Sequence, residues 1–198
     1  MKFSLSACAA IAALCFAQLA EAATVSITPA SRPASQSEVD DPGSGGLQAD
    51  SIVHEFFVTT DGDILRVGDL NIDVALYNNP AGSDTMPPNP LFLPVFPSLG
   101  ADSFITTPGD TATAGGGLSD QGASFFDSSN DGPQNNFLFA RLTTAPGEGG
   151  TFSGVISVAG SAGPEVFPFS FPLGIPEPTS MMLVGLGLVG LGSVRRRS

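Results

Sequence analysis

Leu70, Ile72, Val74 and Leu76 alternate with Asn71, Asp73 and Ala75, and this period of two predicts a half-buried strand over 70–77. Shorter runs rich in Phe, Val, Ile and Thr predict further strands at 52–59, 64–67, 103–106, 123–126, 136–143, 151–158 and 166–171. Turn-forming clusters separate them, among them Asp61-Gly62, Asn78-Asn79-Pro80, Pro108-Gly109-Asp110, Asp131-Gly132-Pro133 and Pro146-Gly147-Glu148-Gly149-Gly150. Helical periodicity is nearly absent from this middle stretch. Many short strands joined by Gly/Pro turns imply an all-β fold, and a β-sandwich is its expected form. Phe167, Phe169 and Phe171 alternate with Val166, Pro168 and Ser170 and read as the last row of a core, although a row of rings could also stack on a sugar. Residues 86–97 hold five prolines in twelve positions and read as an extended edge segment or a loop.

The two ends break the pattern. Lys2 precedes an apolar stretch at 5–19, and Ala20-Glu21-Ala22 supplies the small residues that signal peptidase accepts, so cleavage is expected before Ala23. Leu5-Ser6-Ala7-Cys8 has the form of a lipobox, but too few apolar residues precede Cys8 for a lipoprotein signal. At the other end stand Pro176-Glu177-Pro178, a Gly/Leu-rich run at 181–194, and Arg195-Arg196-Arg197. Fourteen helical residues at about 1.5 Å each would cover roughly 21 Å of an about 30 Å hydrocarbon core. A single membrane helix here is therefore short, with the arginines snorkelling and, by the positive-inside rule, cytoplasmic. Gly185-Leu186-Gly187-Leu188-Val189-Gly190 spells a dinucleotide-binding pattern, but no strand precedes it and no acidic residue follows to meet a ribose.

The order of Pro-Glu-Pro, apolar helix and terminal arginine cluster closely resembles the PEP-CTERM sorting signal. The resemblance covers the last 24 residues. It implies recognition through Pro176, Glu177 and Pro178 by an exosortase-type membrane protease and removal of the tail. Delivery would then be from a transient inner-membrane anchor to the surface or extracellular matrix of a Gram-negative bacterium. The expected organisation is a signal peptide at 1–22, a flexible linker at 23–50, a β-sandwich-like extracellular domain at 51–174 and the sorting signal at 175–198.

Removing both ends sharpens the charge imbalance. Between Ala23 and Ile175 seventeen carboxylates face only Arg32, Arg66 and Arg141, a net charge of −14. Such a surface repels phosphate backbones, which excludes nucleic acid as a partner. Cys8 and Cys15 both fall in the first apolar stretch, so neither disulfides nor thiol chemistry are available to the processed chain.

Chemical constellations are sparse. His54 is the lone histidine; it lies in a strand and is expected at a surface or rim, with no second histidine at zinc-binding spacing. Carboxylate pairs abound in so acidic a chain and do not by themselves mark a glycosidase. Asp127, Ser129 and Asp131 occupy the first, third and fifth positions of a calcium-loop pattern with Gly132 at the sixth, but position twelve is Leu138 where a bidentate Glu belongs. No catalytic residue and no cofactor is assigned. The expected function is that of an exported, non-catalytic surface or matrix protein. A polysaccharide- or calcium-binding module is the alternative, and a secreted hydrolase a more distant one. Expected partners are signal peptidase, the exosortase-type protease, the membrane before processing, and exopolysaccharide as a candidate.

Overall fold

The computed structural model describes residues 22–109, 113–114, 118, 121–127 and 129–174. Among the described residues nine strands form two antiparallel sheets around a shared core, an all-β arrangement. They are β1 (Val25–Pro33), β2 (Ile52–Thr60), β3 (Ile64–Ile72), β4 (Phe104–Ile105), β5 (Thr113–Ala114), β6 (Ala123–Phe126), β7 (Phe137–Thr144), β8 (Gly150–Gly160) and β9 (Gly163–Leu173). One sheet runs β1-β2-β7-β4 and the other β5-β6-β3-β8-β9. A single turn of helix, α1 (Gln36–Val39), and a 3₁₀ turn (Pro97–Ala101) are the helical elements among the described residues.

Alternation, shifted by one residue at irregularities in β3 (between Gly68 and Asn71) and β7 (at Phe139), explains which side chains enter the core. Phe56 and Val58 from β2, Phe139 and Leu142 from β7, Val67 and Leu70 from β3, Phe152 and Ile156 from β8, and Phe169 and Leu173 from β9 are all buried. Their rings form one cluster. Phe152 lies 4.9 Å from Phe56 and 5.0 Å from Phe169, while Phe56 lies 5.3 Å from Phe171, all tilted or edge-on as the ring quadrupole prefers. The Phe row of β9 is thus the final row of the core, with Phe169 buried and Phe167 and Phe171 packed against its margin. Gly154 on β8 makes this approach possible, because a Cβ there would come within 2.7 Å of Leu70 Cδ2 and 2.9 Å of the Gly68 carbonyl.

Two expectations change. The run 70–77 is not one strand: β3 ends at Ile72, and the chain then crosses to the other sheet, where Leu76 makes an isolated bridge to Thr144. Val74 and Leu76 still pack against the core, so the alternation persists after the ladder has ended. Within the expected linker 23–50, β1 pairs with β2 from Val25↔Thr60 to Pro33↔Ile52 and α1 follows. β1 is an edge strand that exposes most of its residues, so it needs no apolar run and accommodates Pro29. β9 is an edge of the other sheet and lies beside β1; Pro164, Pro168 and Pro172 recur on its exposed side and blunt pairing with further strands.

Strand ends define two poles. Pro33, Ile52, Ile72, Thr144, Gly150 and Leu173 lie at one, and Val25, Thr60, Ile64, Gly160 and Gly163 at the other. The chain leaves the second sheet at Leu173, at the first pole. Replacing Phe152 with Ala should lower unfolding free energy by about 3–5 kcal/mol, whereas the marginal Phe167→Ala should cost roughly 1.5 kcal/mol or less, read from urea melts followed by circular dichroism. Equal losses at the two sites would contradict this core.

Candidate functional site

The long connection from β3 to β4 is built over the first pole by buried polar contacts. Arg32 at the end of β1 donates to both carboxylate oxygens of Glu38, at 2.8 and 2.7 Å, and to the Gly100 carbonyl at 2.9 Å. Glu38 completes a capping box with Ser35, accepting its backbone N–H at 2.6 Å. Burial alone would push the Glu38 carboxyl up, but the hydrogen bonds from Arg32 and Ser35, helped by the guanidinium charge, hold it below its ordinary value. Asp41 accepts from the Ser98 backbone at 3.0 Å and from its hydroxyl at 2.5 Å. Asp102, also buried, accepts from the backbones of Asn79 and Ser83 at 2.8 and 3.1 Å. Burial raises the Asp102 carboxyl despite those donors.

Fixed by these contacts, residues 86–96 project a charge-free apolar surface. Of the seven large hydrophobic side chains that are exposed among the described residues, five lie here: Met86, Leu91, Phe92, Val95 and Phe96. Leu91 is 80% exposed and Val95 66%. The segment is a compact turn and not an extended edge, with the Phe96 backbone N–H donating to the Phe92 carbonyl at 2.8 Å. At its base a cleft of about 430 Å³ is lined by Met86, Pro87, Thr107 and Phe137 among others. The Thr107 hydroxyl there is buried without a protein partner. Sequence reading noted the prolines but missed the exposure. The signal was the absence of any charge across twelve residues of a very acidic chain.

The residues singled out for chemistry are placed as follows. His54 is buried at 3% exposure and is not a rim residue. Alternation puts it on the side of Phe56 and Val58, and its Nδ1 lies 2.9 Å from the Ser31 hydroxyl across the β1–β2 pairing. Its Nε2 is buried and unpartnered, and among the described residues no carboxylate orients the ring as a Ser-His-Asp site requires. Asp127, Ser129 and Asp131 do converge. The Ser129 hydroxyl lies within hydrogen-bonding distance of both carboxylates, 2.6 Å from Asp131 Oδ2, and has one proton to donate. Asp63 joins them by accepting the backbone N–H groups of Asp131 and Gly132 at 3.0 and 3.1 Å. Burial and the neighbouring charges of Asp127 and Asp131 raise its carboxyl. Among the described residues no group of three or more His, Cys, Asp or Glu side chains is arranged to hold a metal ion.

Pro176, Glu177, Pro178 and the three terminal arginines lie outside the described residues, as does the N-terminal stretch 1–21. Their identity is carried by sequence comparison. Residues 174–197 match the family model of the PEP-CTERM protein-sorting motif. The PEP-CTERM motif therefore begins at Gly174, one residue after β9 ends at Leu173. Such a motif implies an exported protein whose sorting is membrane-associated and whose recognition is by exosortase, a membrane protease. No curated protein and no solved structure matches the chain. No helix among the described residues is long and apolar enough to cross a membrane.

Burial holds the His54 imidazole below its ordinary value of 6.5. Between the folded and unfolded values the unfolded chain binds the extra proton, so stability present above about pH 6.5 is lost as pH falls. Thermal melts should therefore show a smaller loss between pH 7 and about pH 5 for His54→Leu than for the parent chain. Parallel loss in both would show that His54 does not titrate this way.

Proposed function

We propose that this chain is an exported, non-catalytic β-sandwich protein of the bacterial surface or extracellular matrix, delivered and trimmed through its PEP-CTERM motif. The observation that carries the reading is the position of that motif. It follows the last strand with no spacer, so a detachable address is joined directly to a completed domain.

The opposite end supports cleavage before Ala23. Its backbone nitrogen lies 3.1 Å from Glu165 Oε1, and Thr24 donates its backbone N–H and hydroxyl to Asp61, both at 2.8 Å. Cleavage would turn the Ala23 nitrogen into an α-ammonium facing a carboxylate and would leave β1 attached at the far pole.

The surface chemistry agrees with a hydrated, soluble exterior. Each of the three arginines of the domain is matched to a carboxylate: Arg32 to Glu38, Arg66 to Asp69 and Arg141 to Glu55. The remaining acids have no arginine partner, and the net negative charge of the exterior favours solubility and disfavours polyanionic partners. A buried His54 without an orienting acid gives no support to hydrolysis.

Mass spectrometry of the exported protein from a host containing the protease should find an N-terminal peptide starting at Ala23 and no peptide containing Arg195–Arg197. Pro176 and Pro178 disfavour helix across Glu177 and keep the tripeptide extended for recognition. Replacing both with Ala should accumulate an uncleaved membrane-bound form. A fully exported protein ending at Ser198 would defeat the proposal.

A further inference from the structure

We propose that the exposed apolar turn 91–96 docks on the lipid surface of the membrane that retains the unprocessed chain, seating the domain by its first pole. The proposal rests on the reading of the tail as a membrane-associated sorting signal and adds a second contact to it.

Three observations converge on lipid as the occupant. First, the turn is attached by its C-terminal side at the pole from which the tail departs, while Met86 and Pro87 on its other side lie along the β4 edge against Thr107 and Phe137. Pro97–Ala101 follows it directly, Gly100 is held by Arg32 at the end of β1, and the Ala101 carbonyl accepts from the Thr143 hydroxyl at 2.6 Å. Leu173 ends β9 at this same pole, paired with Gly150. Second, the tether is short. Only residues 175–180 separate Gly174 from the apolar run at 181, and six residues reach at most about 20 Å even fully extended. A tail held in the bilayer therefore confines this pole to the interface. Third, the turn has the chemistry of an interfacial wedge. Leu91, Phe92, Val95 and Phe96 are exposed together, and 86–97 contains no acid and no base. The remaining surface is acidic and would be repelled by anionic headgroups, so this segment is the part of the pole suited to a bilayer, through its apolar interior and not through headgroup charge.

The sequence contains no tryptophan, so Phe92→Trp provides a single fluorophore in the turn, and Val166→Trp provides one on an exposed residue near the opposite pole. Each full-length variant is reconstituted into phosphatidylcholine vesicles with and without lipids carrying a nitroxide near the top of the acyl chain. The expected result is a blue-shifted Phe92→Trp emission quenched about twofold or more by the nitroxide, with Val166→Trp unaffected. Adding Leu91→Asp and Val95→Asp should abolish that quenching while the chain still floats with the vesicles. Flotation with no quenching at Phe92→Trp overturns the docking and leaves the tail reading intact. A blue shift without quenching that disappears on dilution means that a second copy covers the turn, and also overturns it. Failure of the chain to float overturns both readings.

Discussion

The structure depends on one packing constraint: a cluster of phenylalanine rings must hold two sheets together without covalent help. No cysteine lies beyond position 15. Phe56 and Phe139 come from one sheet and Phe152, Phe169 and Phe171 from the other, with neighbouring centroids 4.9 to 6.3 Å apart. Rings of this size bury enough apolar surface to supply a large share of the stability of a small domain. Because β9 contributes two of them, the domain is complete only once the chain has reached Leu173. The sorting motif starts at the next residue.

Charge is arranged around that core in a complementary way. The scarce cations are used on the protein itself: Arg141 pairs with Glu55 across β2 and β7 and lies over the Phe104 ring at 5.3 Å, and Arg66 similarly approaches Phe126 at 5.6 Å. Arg32 neutralises the buried Glu38 and ties α1 to the 3₁₀ turn. With the cations committed, the exterior presents carboxylates, and one polar framework at the first pole holds out a segment with no charge at all. The contrast between these two surfaces is the most specific property of the folded exterior.

Where side chains alternate on a paired strand with a buried face, the fold was legible. The strands at 52–60, 137–144 and 150–160 follow their Phe, Val and Ile positions, and the Phe row of β9 was read correctly as core. Alternation could not reveal that 73–76 leaves its ladder, because Val74 and Leu76 stay packed while the hydrogen-bond partners change sheet. β1 was illegible for the opposite reason. Only Ala23, Val25 and Ile27 alternate toward the core; beyond them this edge strand exposes most of its side chains, and its Pro, Ser and Thr content looks like a linker. His54 gave no hint of burial because its partner, Ser31, lies across a strand pairing that was itself unseen. The sorting motif was the most legible feature because recognition there depends on a contiguous residue order and not on tertiary packing.

On the proposed reading these elements form an autonomous domain joined to a removable address. That separation is tested most directly by hydrogen–deuterium exchange on the full chain and on the naturally processed form, compared at the amides of β8 and β9. If the Phe cluster alone secures the last strand, protection across 150–173 should be the same in both forms. Loss of protection in β9 on removal of the tail would contradict the account, since the tail would then be part of what holds the fold together.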